Sequence, residues 1–400
     1  MWPEPKSSAA GSRMLQLITL FKDDGYEITF ACSNNKTENA CSLETLGITE
    51  ILIQLNHDSF DDFITNLQPT IVLFDRFISE EQFGWRVSEF SPHSLRILDT
   101  EDLHGLRKGR TLAVKNNKEF NSEYLLNDTM KRELASIYRC DLSLIISKVE
   151  MQLLTDDLKV DSKLLHYIPF LLESITKEDI AKLPSFESRK DFVTIGNFLH
   201  EPNCDAVLQL KRYIWPIIKK ALPKANLHIY GAYASQKVKQ LHNTNEGFYV
   251  HGFSEDVNTI MQQSKVCLAP LRFGAGLKGK IFDALKNGTP SIMTSVAAEG
   301  IFLDSETNND IQDSPEAFAQ RAIELHTSKC EFYDSQNIGF NILNTNFLKL
   351  NFISNFQAEV SRILRNLNTH RLQNVTGQVL QHQSLQSSKY LSKWIAEKNK

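Results

Sequence analysis

Long apolar runs, cysteine and surplus positive charge are all scarce in this chain. No apolar stretch reaches the roughly 18 residues of a membrane span; the longest, such as LSLIIS at 142–147, have the length of a strand. A soluble chain is therefore expected, with contact at a membrane surface left open. The six cysteines (Cys32, Cys41, Cys140, Cys204, Cys267, Cys330) are scattered without Cys-x-x-Cys spacing, and several sit in apolar runs. They read as reduced core thiols of a cytosolic protein. With 44 basic against 48 acidic residues and a net charge of -4, nothing favours binding to a phosphate backbone, so nucleic acid is not an expected partner. No His, Cys or carboxylate cluster has metal-ligand spacing, and no metal is expected. Asn-x-Thr triplets at Asn35, Asn127 and Asn374 carry no weight without a secretion signal.

What the chain has is length and alternation. Its 400 residues, 42% hydrophobic, exceed what one core usually organises and can fill two. Met14, Leu17, Ile18 and Phe21 have helical spacing, and strand-like runs follow at 26–32, 49–55, 70–75, 95–100 and 142–147, separated by helical patterns. After a connector with Pro169 and Pro184 at 165–190, the pattern restarts with runs at 191–196, 226–231, 247–253, 265–271 and 290–295. Two tandem α/β domains with mainly parallel sheets are expected, over 1–175 and 185–330, followed by helices over 331–400. The opening segment MWPEPKSSAAGSRM has the composition of a loop entering a helix near Ser12, as if leaving a strand that lies upstream.

Residues 270–290 read PLRFGAGLKGKIFDALKNGTP, in which Gly274, Gly276 and Gly279 spell G-x-G-x-x-G before a helix-like stretch. A dinucleotide fingerprint would use such glycines for a tight turn and close approach to pyrophosphate, with an acid about 20 residues on, and Glu299 lies at that distance. However, that fingerprint opens the first βα turn of its domain, whereas here three strand-helix units precede it. Pro270 also ends the strand early. The bland alternative is an ordinary glycine-rich turn. Arg272, Lys278 and Lys280 argue for more: they flank glycines at a helix start, where amides and dipole favour an anion, and phosphate is the ligand that suits them. One of the two lysines is expected to be a solvated face residue.

The second half resembles the C-terminal domain of retaining GT-B glycosyltransferases, in glycosyltransferase family 4 (glycosyl transferases group 1), over 193–210, 227–232 and 249–301. The first half is similar to the same family in WPEPKSSAAGSRM, RILDTEDLHGLR (96–107) and DLSLIISKVEMQLL (141–154). The resemblance implies an α/β GT-B fold: two Rossmann-like β/α/β domains facing across a cleft, with a helical C-terminal tail. It also implies the donor loop at 270–290. Of the family's two glutamates eight positions apart, the ribose-binding one corresponds to Asp283 and the sugar-contacting one to Ala275. The Arg and Lys that many members place after the first C-domain strand are absent from 196–203, where Asn197 and Asn203 stand. Lys278, Lys280 and Arg272 thus become the expected donors to diphosphate. Gly11 would let the opening loop approach the phosphates, with Ser12 as N-cap and Arg13 as a charge contact. Asp102 or His104 would orient a sugar hydroxyl or assist proton transfer. Glu299 would bind sugar or ribose. The ordinary alternatives are a capped helix for Gly11 to Arg13, a first-turn acid for Asp283, a structural histidine for His104 and a local cap for Glu299.

The implied activity is transfer of a sugar from a nucleotide diphosphate sugar to a glycan or lipid-linked glycan, in cell-surface polysaccharide synthesis, without cofactor. A cytoplasmic location is implied, with peripheral contact at the inner membrane face left open. Two alternatives stay open: a nucleotide-sugar epimerase of the same fold, and a non-catalytic glycan- or nucleotide-binding member. In the tail, Tyr390, Leu391 and Trp394 are spaced for a helix face expected to return to the N-domain. Lys389, Lys393, Lys398 and Lys400 beside them leave a lipid surface as the other reading.

Overall fold

The computed structural model describes residues 1–302 and 308–382, together with Trp394 and Lys398. Eleven strands are described. The first six are β1 (Thr29–Cys32), β2 (Thr49–Leu52), β3 (Ile71–Asp75), β4 (Leu95–Asp99), β5 (Leu142–Ile145) and β6 (Leu165–Tyr167). The other five are β7 (Lys190–Ile195), β8 (Leu227–Tyr230), β9 (Phe248–Gly252), β10 (Ser264–Ala269) and β11 (Ser291–Met293). Every strand pairing is parallel, in sheets ordered β1-β2, β3-β4-β5-β6 and β11-β10-β7-β8-β9. Covered on both faces, central strands need apolar side chains throughout, and β4 and β5 are buried at every residue. Ten strands lie within the apolar runs of the sequence or within a residue of them. β6 does not: it occupies the first residues of the expected connector, a three-residue strand too short to stand out before Pro169.

The first helix runs Ala9–Asp23 and buries Met14, Leu17 and Ile18. Its N-cap is Ser8, not Ser12: Ser8 is extended and its hydroxyl accepts from the Gly11 amide at 3.1 Å, whereas the Ser12 hydroxyl donates to the Pro5 carbonyl at 3.0 Å. The thiols divide as well. Cys32, Cys140 and Cys267 are core residues, Cys41 and Cys204 are half-buried, and Cys330 is exposed on the first turn of helix Lys329–Asn346, its thiol directed to Asp334.

After β11, helix Pro315–Thr327 packs Phe318, Ala319, Ala322 and Leu325 into the β7–β11 domain. Helix Leu350–Arg365 crosses to the other domain, where Phe356, Val360 and Ile363 cover Leu95, Ile97, Leu142 and Leu144 of β4 and β5. Arg371 extends this contact with two bonds of 2.8 Å to Asp141. Tyr390 and Leu391 lie outside the described residues, and Trp394 is exposed. Among the described residues, no helix is long and apolar enough to cross a membrane.

Candidate functional site

The C-terminal ends of β3, β4, β7 and β10 face a cleft of about 1040 Å³ between the domains. On its C-terminal wall, β10 ends before Pro270, and the glycine loop leads into helix Gly279–Lys286. Gly276 has φ +62°, and a Cβ there would sit 2.7 Å from that of Asp102. Gly279 meets the first helix: an added Cβ would come within 2.5 Å of Ala9 Cβ. Two helix N-termini, one from each domain, therefore converge here. No side chain caps helix Gly279–Lys286, so its first amides are left for another acceptor.

Both lysines of the loop line this cleft, Lys278 buried and Lys280 half-buried, which corrects the expectation that one would be a solvated face residue. Lys278 Nζ donates to the Gly276 carbonyl at 2.7 Å, and burial lowers its pKa. Lys280 Nζ donates to Asn203 Oδ1 at 2.8 Å, and burial brings it down to about 8. Asp283 lines the same wall, its carboxyl raised by burial to about 6. Gly274 also lines it.

Arg272 and Glu299 do not line the cleft. Arg272 forms a fork of 2.8 and 2.5 Å with Asp205, and Glu299 one of 2.6 and 2.7 Å with Arg110 of the opposite domain. Arg110 also donates to the Gly274 carbonyl at 2.9 Å, tying the glycine loop to helix His104–Lys115. Sequence reasoning missed Arg110; its one available signal was the Arg107–Arg110 spacing, one helical turn after the Asp102–His104 motif.

Gly11 is set by packing, since a Cβ would lie 2.4 Å from the Glu4 backbone. Arg13 is fully buried and does not face the cleft: its Nη2 and Nε donate to Asp99 Oδ1 at 2.9 and 3.1 Å, and its Nη1 to the Ile168 carbonyl at 2.8 Å. Asp102 and His104 do line the cleft, with His104 Nε2 3.3 Å from Asp102 Oδ1 and Arg107 Nε 3.4 Å from Oδ2. Burial pushes His104 down to about 4, so its imidazole is neutral near pH 7. Burial works to raise the Asp102 carboxyl, but Arg107 and His104 outweigh it and hold it below the usual range.

Two further acids were not singled out. Glu133 accepts from the His104 and Gly105 amides at 2.7 and 2.5 Å, fixing the start of that helix, while burial raises it to about 8. Glu150 Oε1 accepts from the Leu103 amide at 2.9 Å and from the Gly276 amide at 2.8 Å, one from each domain; burial raises it to about 7. Among the described residues, no group of three metal-ligating side chains is assembled.

Residues 189–328, which hold the glycine loop, match the family of glycosyl transferases group 1. The C-terminal domain is thus similar to the glycosyl transferases of group 1. No curated protein sequence matches it. Among solved structures, HepE from Anabaena with UDP and glucose is similar over 90% of this chain and 97% of its own, with TM-score 0.67 and 12% identity. Sucrose-phosphate synthase from Thermosynechococcus elongatus is similar over 90% and 94%, with TM-score 0.66 and 13% identity. TarM from S. aureus, in complex with fondaparinux, alpha-GlcNAc-glycerol and UDP, has TM-score 0.57 and 9% identity; the match covers 75% of this chain but only 58% of TarM. At these identities the likeness is one of fold: the chain has the GT-B architecture.

Proposed function

We propose that this protein moves a sugar from a nucleoside diphosphate sugar to a glycan or lipid-linked glycan, with retention of anomeric configuration, in cell-surface polysaccharide synthesis. The reaction is assigned to the cytoplasm, at the membrane face where the acceptor is lipid-linked. The observation that carries this reading is the meeting of two helix N-termini at Ala9 and Gly279, with Lys278 and Lys280 beside them in the cleft. A departing nucleoside diphosphate gains negative charge, and amides and ammonium groups already aimed at it stabilise that charge without reorganisation. Protein cations thus stabilise the leaving group, and no metal is assigned. Asp283 would accept a ribose hydroxyl, and Asp102 with His104 would orient a sugar hydroxyl. Glu299 acts through Arg110, which holds the loop, and the UDP in the HepE and TarM complexes supports UDP as the first nucleotide to test. Retention rests on the family resemblance.

The test is nucleoside diphosphate release across a donor panel, with and without membrane extract. Release that rises with extract supports transfer. A changed sugar nucleotide without extract would identify an epimerase. Binding without release from any donor would overturn the enzymatic reading in favour of a binding protein.

A further inference from the structure

β3 and β4 end in register on two aspartates, Asp75 beside Asp99. Just beyond each, the chain enters the left-handed region at a residue that is not glycine: Arg76 at φ +68° and Glu101 at φ +61°. Such positions are strained for side-chain-bearing residues, and strain of this kind persists where surrounding structure enforces it, often at sites of function. Both residues line the cleft. Their polar groups are incompletely used. Glu101 is 8% exposed and its Oε1 has no hydrogen-bond partner; the same is true of Asp75 Oδ1. The Arg76 guanidinium stands 3.6 Å from that Asp75 oxygen, an ion-pair distance beyond a hydrogen bond. Asp99 cannot relieve the shortage, because Arg13 occupies it.

The set asks for a ligand that both donates and accepts. A carboxylate or phosphate only accepts: it would suit Arg76 but meet Asp75, Glu101 and Asp102. The N-terminal ammonium already stands 3.4 Å from the other Asp75 oxygen, and a further ammonium only donates and would be repelled by it and by Arg76. A sugar hydroxyl does both, and neighbouring hydroxyls can accept from the guanidinium while donating to a carboxyl oxygen. The phosphate-favouring groups lie on the opposite wall, around Lys280 and Gly279, so an anionic donor has its own place. We propose that Arg76 and Glu101 form a subsite for the acceptor, which takes an uncharged, hydroxyl-bearing sugar and excludes an anionic one. This inference rests on the sugar-transfer reading above. Glu101 is the determinant of that choice, because its neutral or hydrogen-bonded form is tolerated in the buried setting where a second free anion is not. Burial, with the charge of Asp99 added, raises its carboxyl well above the usual range, which agrees with this geometry.

The test is saturation-transfer NMR on the full chain with UDP bound, using methyl glycosides of glucose, galactose, mannose and N-acetylglucosamine against methyl glucuronide. At least one neutral glycoside should bind tenfold or more tightly than the glucuronide. Glu101→Gly relieves the left-handed strain, so its Tm should equal or exceed wild type, while neutral-glycoside affinity falls about tenfold and UDP affinity stays the same. Glu101→Gln, which keeps a donor and an acceptor, should retain binding. Equal binding of the glucuronide, binding of none of the glycosides, an unaffected Glu101→Gly variant, or loss of UDP affinity in that variant would each overturn the proposal. The sugar-transfer reading is judged separately by nucleoside diphosphate release, which needs no occupancy of this subsite.

Discussion

The two walls of the cleft hold their charges differently. On the C-terminal wall, Lys278 and Lys280 donate to neutral oxygens, a backbone carbonyl and an asparagine amide. Three other cations near the cleft are already matched by carboxylates, Arg13 by Asp99, Arg110 by Glu299 and Arg272 by Asp205, while Arg76 stands 3.6 Å from Asp75. A cation paired with a carboxylate has little charge left for a ligand, whereas a buried ammonium held only by dipoles gains most when an anion arrives. Nearness to Gly274 does not separate the two kinds, since Arg272 is nearer it than Lys280 is. The pairing does, and it ranks the expected effects of substitution.

The largest effect is expected for Lys280→Ala. Loss of one charge-assisted bond to diphosphate should cost about 2 kcal/mol, roughly a 30-fold rise in the Kd for UDP, with little change in fold. Isothermal titration calorimetry measures it, and an unchanged Kd would remove Lys280 from the cradle. The second effect is a pH dependence that only this wall should show. Free Lys280 has a pKa of about 8, so it is protonated at pH 7 and mostly neutral at pH 9. Binding an anion favours the protonated form, and affinity for UDP should therefore fall, by about tenfold, as pH rises from 7 to 9. The Lys280→Ala variant should lose most of this slope; a slope that persists in it would assign the titration elsewhere.

What the sequence made legible follows the same division between local and long-range causes. Strands announced themselves because a parallel sheet buries both faces, and apolar runs such as LRILD and LSLI report that directly. The glycine loop was visible because Gly276 must take a positive φ and Gly279 must admit Ala9. Glu150 was invisible: its partners lie 47 and 126 residues away, and nothing in KVEMQ tells a clasp between domains from a surface helix. Arg76 and Glu101 were hidden for the opposite reason, since each takes a left-handed conformation without the glycine that usually marks one. Residue types could nominate Arg13, Arg272 and Glu299; only the fold reveals which partners they have already taken.

The paired cations supply the two smaller predictions. Arg110→Ala removes the fork to Glu299 and the bond to the Gly274 carbonyl, leaving a mostly buried carboxylate without its partner. A stability loss of about 2 kcal/mol is expected in chemical denaturation, with a several-fold rise in the Kd for UDP as the loop loosens. Arg272→Ala should do least. Its side chain is 45% exposed, its charge is spent on Asp205, and it stands outside the cleft. Exposed pairs contribute about 0 to 1 kcal/mol, so stability should change by no more than that and UDP affinity by less than twofold. Asp205→Asn is the informative companion. If Arg272 is withheld from the donor only by its partner, freeing it should tighten UDP binding in Asp205→Asn, and the gain should vanish in the double variant. If its position keeps it out of the cleft, all three proteins should bind UDP alike, and the division between free and matched cations then rests on geometry as well as charge.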